Sequence, residues 1–232
     1  MNNDLYLLGA SAAKWPPNAI AQEYSNNFKW TEGRRLPDEA KAVHIACKSA
    51  LRNAGFSAER CLGDRVGIVL GGGFGGFASY ERFRSGLGNA GELQPLAFSF
   101  SLPCIPASVL SLYYGITGPV ISLSTAVETG ATSVLDTAID LLQSGMCDRV
   151  VSGTWYFPSD TALKCTGITQ AMVSIVVLST QFEQQGGMVK VEGSKTMPLL
   201  YEFLSFRSGF YTDDSQSISI DGDVLMKTVR SC

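Results

Sequence analysis

Apolar and polar residues alternate along this chain in two rhythms, and the switch between them marks its elements. Asp4–Leu8 reads as a short strand, followed by an irregular aromatic and proline-containing stretch through Leu36. In Asp38–Ala54 the residues Val43, Cys47, Ala50 and Ala54 recur at the three-to-four spacing of one helix face, with Pro37 at the start and Gly55 as the stop. Arg65–Leu70 is a compact apolar strand running into Gly71-Gly72-Gly73-Phe74-Gly75-Gly76. Ala107–Tyr114 has helical character and ends at Gly115, and Val120–Leu123 is a β-branched strand. A helix is expected from Thr125 to Ser144, with Val134, Leu135, Ala138, Leu141 and Leu142 on its apolar side and Gly145 behind it. Arg149–Thr154 and Met172–Ser179 are further strands. Strands alternating with longer helices predict a parallel α/β sheet covered on both faces. After Gln185 the pattern weakens, although Leu199, Leu200, Phe203, Leu204 and Phe206 mark an apolar segment suited to docking.

Composition narrows the functional classes. Only 17% of the 232 residues are charged, against about 25% in an average soluble domain. The formal net charge of −3 offers no electrostatic footprint for nucleic acid. From Leu93 to Val127 there is no Asp, Glu, Lys or Arg. Pro95, Pro103, Pro106, Gly115, Gly118 and Pro119 interrupt that run, so buried soluble structure is expected there and not a membrane span. The Met1-Asn2-Asn3-Asp4 start has no basic segment and Leu5–Leu8 is too short for a signal core, which predicts a cytoplasmic protein with free thiols.

No two of Cys47, Cys61, Cys104, Cys147, Cys165 and Cys232 form a C-x-x-C pair, and His44 is the only histidine. Zinc ribbons, two-histidine metal sites and the H-E-x-x-H pattern are thereby excluded, and no metal or cofactor is called for. On its alanine-rich helix, His44 is expected to be structural or solvated and not a base. Gly71, Gly73 and Gly76 fit G-x-G-x-x-G after a strand, with Glu92 near the ribose-acid offset. Five glycines in six residues match many patterns by chance, and Phe74-Gly75 stands where a Walker Gly-Lys would be, so a strand-exit loop is the simpler expectation and a dinucleotide site the alternative.

The stretch Phe98–Gly130, FSFSLPCIPASVLSLYYGITGPVISLSTAVETG, is more specific. It resembles the segment of β-ketoacyl synthases that passes through a helix, the phrase Tyr-Gly-Ile-Thr-Gly-Pro and a strand to the nucleophile turn. Arg34-Arg35 before the alanine-rich helix, Arg65-Val-Gly-Ile-Val-Leu-Gly, Ser144-Gly-Met-Cys-Asp-Arg-Val-Val-Ser-Gly and Gln170–Ser179 are similar to the same family in the same order. The resemblance spans residues 4–180 and implies a thiolase-like α/β/α layered sandwich. On this reading residues 1–185 are a ketosynthase-like N-terminal half. Residues 186–232 are a short C-terminal extension packing on that half or on a partner.

Departures from the family carry the functional expectation. Ketosynthases place a cysteine after Thr-Ala at a helix start, where backbone N–H groups and the helix dipole favour a thiolate and a developing oxyanion. Here Ser124-Thr125-Ala126 is followed by Val127, which has neither lone pair nor proton. Thr125 and Glu128 have the spacing of a capping box, which adds a negative charge beside that position. The family's catalytic histidines belong to its second half, and no histidine follows His44 here. The resemblance therefore implies a non-catalytic chain-length factor of a polyketide or aryl-polyene system. Such a subunit pairs with an active ketosynthase, meets acyl carrier protein through the complex, and bounds the acyl tunnel. Phe98 and Phe100, with Ala97 beside them, are the tunnel candidates, and Val120, Ile121, Leu123, Thr125 and Glu128 the interface candidates. The alternative is a stand-alone acyltransferase using Cys104 or Cys165. A further expectation is an apolar face larger than the few hundred Å² a monomer normally exposes.

Overall fold

A computed structural model of the chain describes residues 4–56, 62–87, 94–125, 130–181, 189–191, 197–205 and 218–220. In chain order the elements are β1 (Tyr6–Trp15), α1 (Ile20–Asn27), α2 (Asp38–Asn53), β2 (Val66–Gly73), α3 (Phe77–Gly86), α4 (Pro95–Phe100), α5 (Ile105–Tyr114), β3 (Val120–Thr125), α6 (Gly130–Gln143), β4 (Arg149–Tyr156), α7 (Asp160–Thr166), β5 (Ala171–Ser179), β6 (Val189–Lys190), α8 (Met197–Leu204) and β7 (Ile218–Ile220). The strands form one sheet in the order β3-β2-β4-β5-β1-β6, with β7 also paired to β1.

The sheet is mixed, which corrects the expectation of a parallel one. Only β3–β2 and β2–β4 are parallel; β5 runs antiparallel to both β4 and β1. The chain passes from β2 through α3, α4 and α5 to β3, and from β3 through α6 to β4, as parallel crossovers require. Between β4 and β5 only the short α7 intervenes, and the chain returns from the end at which it left. Two elements also differ from their expected limits. β1 continues to Trp15, its small residues letting both layers come close: Gly9 and Ala13 lie on the α2 side, Ala10 and Ala12 on the α6 side, and α1 occupies part of the stretch read as irregular.

Two cores flank the sheet. On one side α1, α2 and α5 pack their apolar residues over β1, β2, β4 and β5, with Trp15, Trp155, Leu51 and Tyr114 fully buried. Pro37 precedes α2, and Gly115 ends α5 in a left-handed conformation at φ 59°. On the other side α6 covers β2, β3 and β4 with Val134, Leu135, Ala138, Leu141 and Leu142, the five residues expected to face inward. A single helix leaves β5 uncovered on that side, and α8 supplies the missing cover with Leu200, Phe203 and Leu204, all fully buried. Burying side chains of this size contributes about 1.5–3 kcal/mol each before conformational entropy is counted.

Candidate functional site

The parallel strands β2, β3 and β4 end together, with Gly73 in register with both Thr125 and Tyr156. The carboxyl ends of parallel strands are where α/β sheets hold ligands, because helix N-termini and loops converge there. Two crowded contacts define the floor of this region. A Cβ on Gly71 would lie 2.4 Å from Val134 Cγ2 and 3.2 Å from Thr125 Oγ1, and one on Gly72 would lie 2.6 Å from the Trp155 ring. Gly71, Gly72 and Gly73 thus belong to β2, paired on both sides, and serve close packing of α6 and Trp155. This corrects the expectation of a glycine loop beginning at Gly71 and leaves no free phosphate cradle over those three residues. Glu92 lies outside the described residues.

At the exit from β2, Phe74 adopts φ 65°, the only non-glycine residue with a positive φ among those described. Such a backbone costs about 1–3 kcal/mol in a bulky residue and persists only where its surroundings enforce it. The Phe74 ring is set edge-on to Phe77 and Tyr156, at 6.2 and 6.4 Å between centroids. Tyr156 is fixed in turn by donating to the Ile168 carbonyl at 3.0 Å. The sequence pattern assigned Phe74 no role of its own; its position between three glycines and two more was the available signal.

The strand-exit segments are tied to one another by Glu81 of α3. Its carboxylate accepts from the backbone N–H groups of Asp160 and Thr161 at 2.8 and 2.9 Å, which caps the start of α7. These hydrogen bonds outweigh burial and hold the Glu81 carboxyl below its usual range. Deeper in the same helix Ser79 donates to Glu39 Oε1 at 2.7 Å. Glu39 is 2% exposed and its Oε2 has no partner among the described residues, and burial pushes its carboxyl up. Neither carboxylate was singled out from the sequence, because nothing in spacing announces a contact across some forty or eighty residues.

His44 takes no part in this region. It is fully buried on α2, its Nδ1 3.0 Å from the Tyr24 hydroxyl, within rings contributed by Tyr24, Phe28, Trp30, Tyr113 and Tyr114. Burial, with Lys48 adding to it, lowers its pKa to about 3, so the imidazole is neutral near pH 7. Of the cysteines, Cys47 and Cys147 are buried free thiols, and Cys104 and Cys165 are exposed free thiols. Cys61 and Cys232 lie outside the described residues. Among the described residues no cluster of three His, Cys, Asp or Glu side chains has metal-binding geometry.

The sequence-predicted residues fall in two groups. Ala97 is buried in α4, Phe100 is half-buried, and Phe98 is 57% exposed with its ring 5.1 Å from that of Phe83. This group sits on α4, which packs against α3. Val120 is exposed on β3, and Ile121, Leu123 and Thr125 are half-buried. This second group packs against β2, α5 and α6, and β3 forms one edge of the sheet. Thr125 ends β3 and does not begin the helix, which corrects the expected boundary. Val127 and Glu128, and with them the capping box, lie outside the described residues. The charge-free run is not uniformly buried: Leu96, Phe98, Leu102, Leu112 and Val120 all stand exposed, Leu112 to 77%. No helix among the described residues is long and apolar enough to cross a membrane.

Comparison with known proteins agrees with this geometry. Residues 20–174 match the model of the β-ketoacyl synthase N-terminal domain. The 3-oxoacyl-(acyl-carrier-protein) synthase 2 of Staphylococcus aureus is 26% identical over 124 residues, which is 53% of this chain and 30% of that synthase. The chain thus spans less than a third of that relative. A type II PKS acyl-carrier protein in complex with its ketosynthase bound to the hexaketide superposes with a TM-score of 0.61 at 17% identity, covering 76% of this chain and 62% of the other. The ishigamide ketosynthase/chain length factor gives 0.58 at 14% identity, covering 78% and 63%. At such identities these two structures establish the fold alone, which is that of the thiolase-like ketosynthases. With the family model matching well over half of its length, the chain belongs to the β-ketoacyl synthase family through its N-terminal domain.

Proposed function

We propose that this chain is a non-catalytic ketosynthase-like subunit, a chain-length factor that pairs with an active β-ketoacyl synthase and bounds its acyl tunnel. The observation that carries the reading is Val127, two residues beyond the end of β3 and after Ser124-Thr125-Ala126, where the family's nucleophilic cysteine is expected. A valine there can neither attack a thioester nor hold an acyl group. The surroundings support the same reading. The sole histidine is sealed in an aromatic cage and stays neutral, so it supplies no base at the strand ends. The exposed edge of β3, with Val120 at its start, suits a strand or helix of the partner, and Phe98 and Phe100 project from α4 as tunnel-bounding groups. Acyl carrier protein would meet this chain through the complex, and a cytoplasmic setting fits the chemistry.

The test is co-expression and co-purification with a full-length, active ketosynthase, followed by product analysis. A stable complex whose product length shifts in Phe98→Ala or Phe100→Ala, while elongation continues, is the expected result. A chain that stays apart from the ketosynthase, or a covalent acyl adduct on Cys104 or Cys165 after incubation with an acyl-thioester, overturns the reading. The adduct would favour a stand-alone acyltransferase.

A further inference from the structure

β1 is ten residues long and buried along most of its length. One of its edges pairs with β5 from Tyr6 to Trp15. The opposite edge of such a strand presents unpaired N–H and C=O groups, and a long apolar edge is a template on which another chain adds. Here that edge is occupied by separate segments that follow β5. β6 pairs Lys190 with Tyr6 and Val189 with Leu7, the Val191 N–H donates to the Leu5 carbonyl at 2.7 Å, and Lys190 Nζ lies 2.8 Å from Asp4 Oδ1. β7 pairs Ile220, Ser219 and Ile218 with Ala10, Ser11 and Ala12. α8, which lies between them in the chain, is anchored on the α6 side of the sheet. Its Leu204 carbonyl accepts from the Thr154 hydroxyl, and its Tyr201 hydroxyl donates to Asp136 Oδ1 at 2.8 Å.

We propose that the segments after β5 form a brace that closes the outer edge of β1 and so prevents a second copy of the chain from adding a strand there. At the other end of the sheet no strand flanks β3 among the described residues, so the brace leaves one edge closed and one open. This inference rests on the two sheet edges and stands or falls independently of the chain-length reading.

The full-length chain carrying Val189→Pro together with Ser219→Pro tests it, since each proline removes an N–H from the braced ladder. Hydrogen exchange in the peptide covering residues 6–12 is expected to quicken by about a hundredfold. Peptides from β4 and β5 should keep their protection, and the mass in solution should rise with concentration above that of the unaltered chain. Unchanged exchange in residues 6–12 overturns the proposal, and so does faster exchange with no growth in mass. Should the double variant lose protection in β4 and β5 as well, Lys190→Glu provides the second reading. It sets a negative charge against Asp4 without touching the core, and faster exchange at residue 7 supports the brace, whereas an unchanged rate overturns it.

Discussion

The Tyr24 hydroxyl and His44 Nδ1 lie 3.0 Å apart in a pocket of aromatic rings, with Phe28 stacked on Tyr24 and only 3.9 Å from the imidazole centroid. His44 Nε2 has no hydrogen-bond partner among the described residues, so the doubly protonated ring would keep one N–H unpaired whichever nitrogen takes the added proton. The unfolded chain binds that proton at an ordinary histidine pKa near 6.5, whereas the folded chain resists it down to about 3. A lowered histidine pKa means that stability is full above about pH 6.5 and is lost progressively as pH falls toward 3. Urea unfolding at a series of pH values should show a loss of about 2 kcal/mol between pH 6.5 and 5 from this group. In His44→Leu that part of the slope should vanish; an unchanged slope would assign the acid sensitivity to other groups.

Phe74 offers a test in which the usual order of two residues reverses. Alanine normally outranks glycine inside an ordered segment. At φ 65° the Cβ itself is the problem, and both Phe74→Ala and Phe74→Gly remove the same ring contacts. The glycine variant should therefore be the more stable of the two by about 1 kcal/mol. Equal midpoints in denaturant would mean that the residue sits in an unstrained backbone in solution.

Packing at the strand ends can be examined by a paired substitution. Gly71→Ala drives a methyl into Val134 Cγ2, now 2.4 Å from where that Cβ would be built. Overpacking of this kind costs about 1–3 kcal/mol. Val134→Ala removes the obstructing methyl groups, so the double variant should be less destabilised than the two single effects summed. Additivity in a double-mutant cycle would show that α6 shifts freely against β2, contrary to the close approach described above.

The sequence was most informative where one residue's environment depends on neighbours three or four positions away. The buried face of α6, the stop of α5 at Gly115 and the start of α2 after Pro37 are all of this kind. Strand direction is not: the antiparallel setting of β5 follows from the short path through α7, and periodicity within β5 reads the same either way. The glycines misled for a related reason. Gly71 and Gly72 answer to Val134 and Trp155, partners more than sixty residues away, and looked locally like a loop. The identity of the fold was legible in ordered phrases between Arg34 and Ser179. The strained Phe74 and the separate hydrogen-bonding roles of the Glu39 and Glu81 carboxylates became visible only in three dimensions.

The charge-free run between β2 and α6 carries a thermodynamic consequence. Leu96, Phe98, Leu102, Leu112 and Val120 stand exposed in a stretch with no ionised side chain. A protein seated on them gains little from ion pairing, so its affinity would scarcely respond to ionic strength. The association would instead be marked by a negative heat-capacity change and would loosen on cooling, as the removal of apolar surface from water requires.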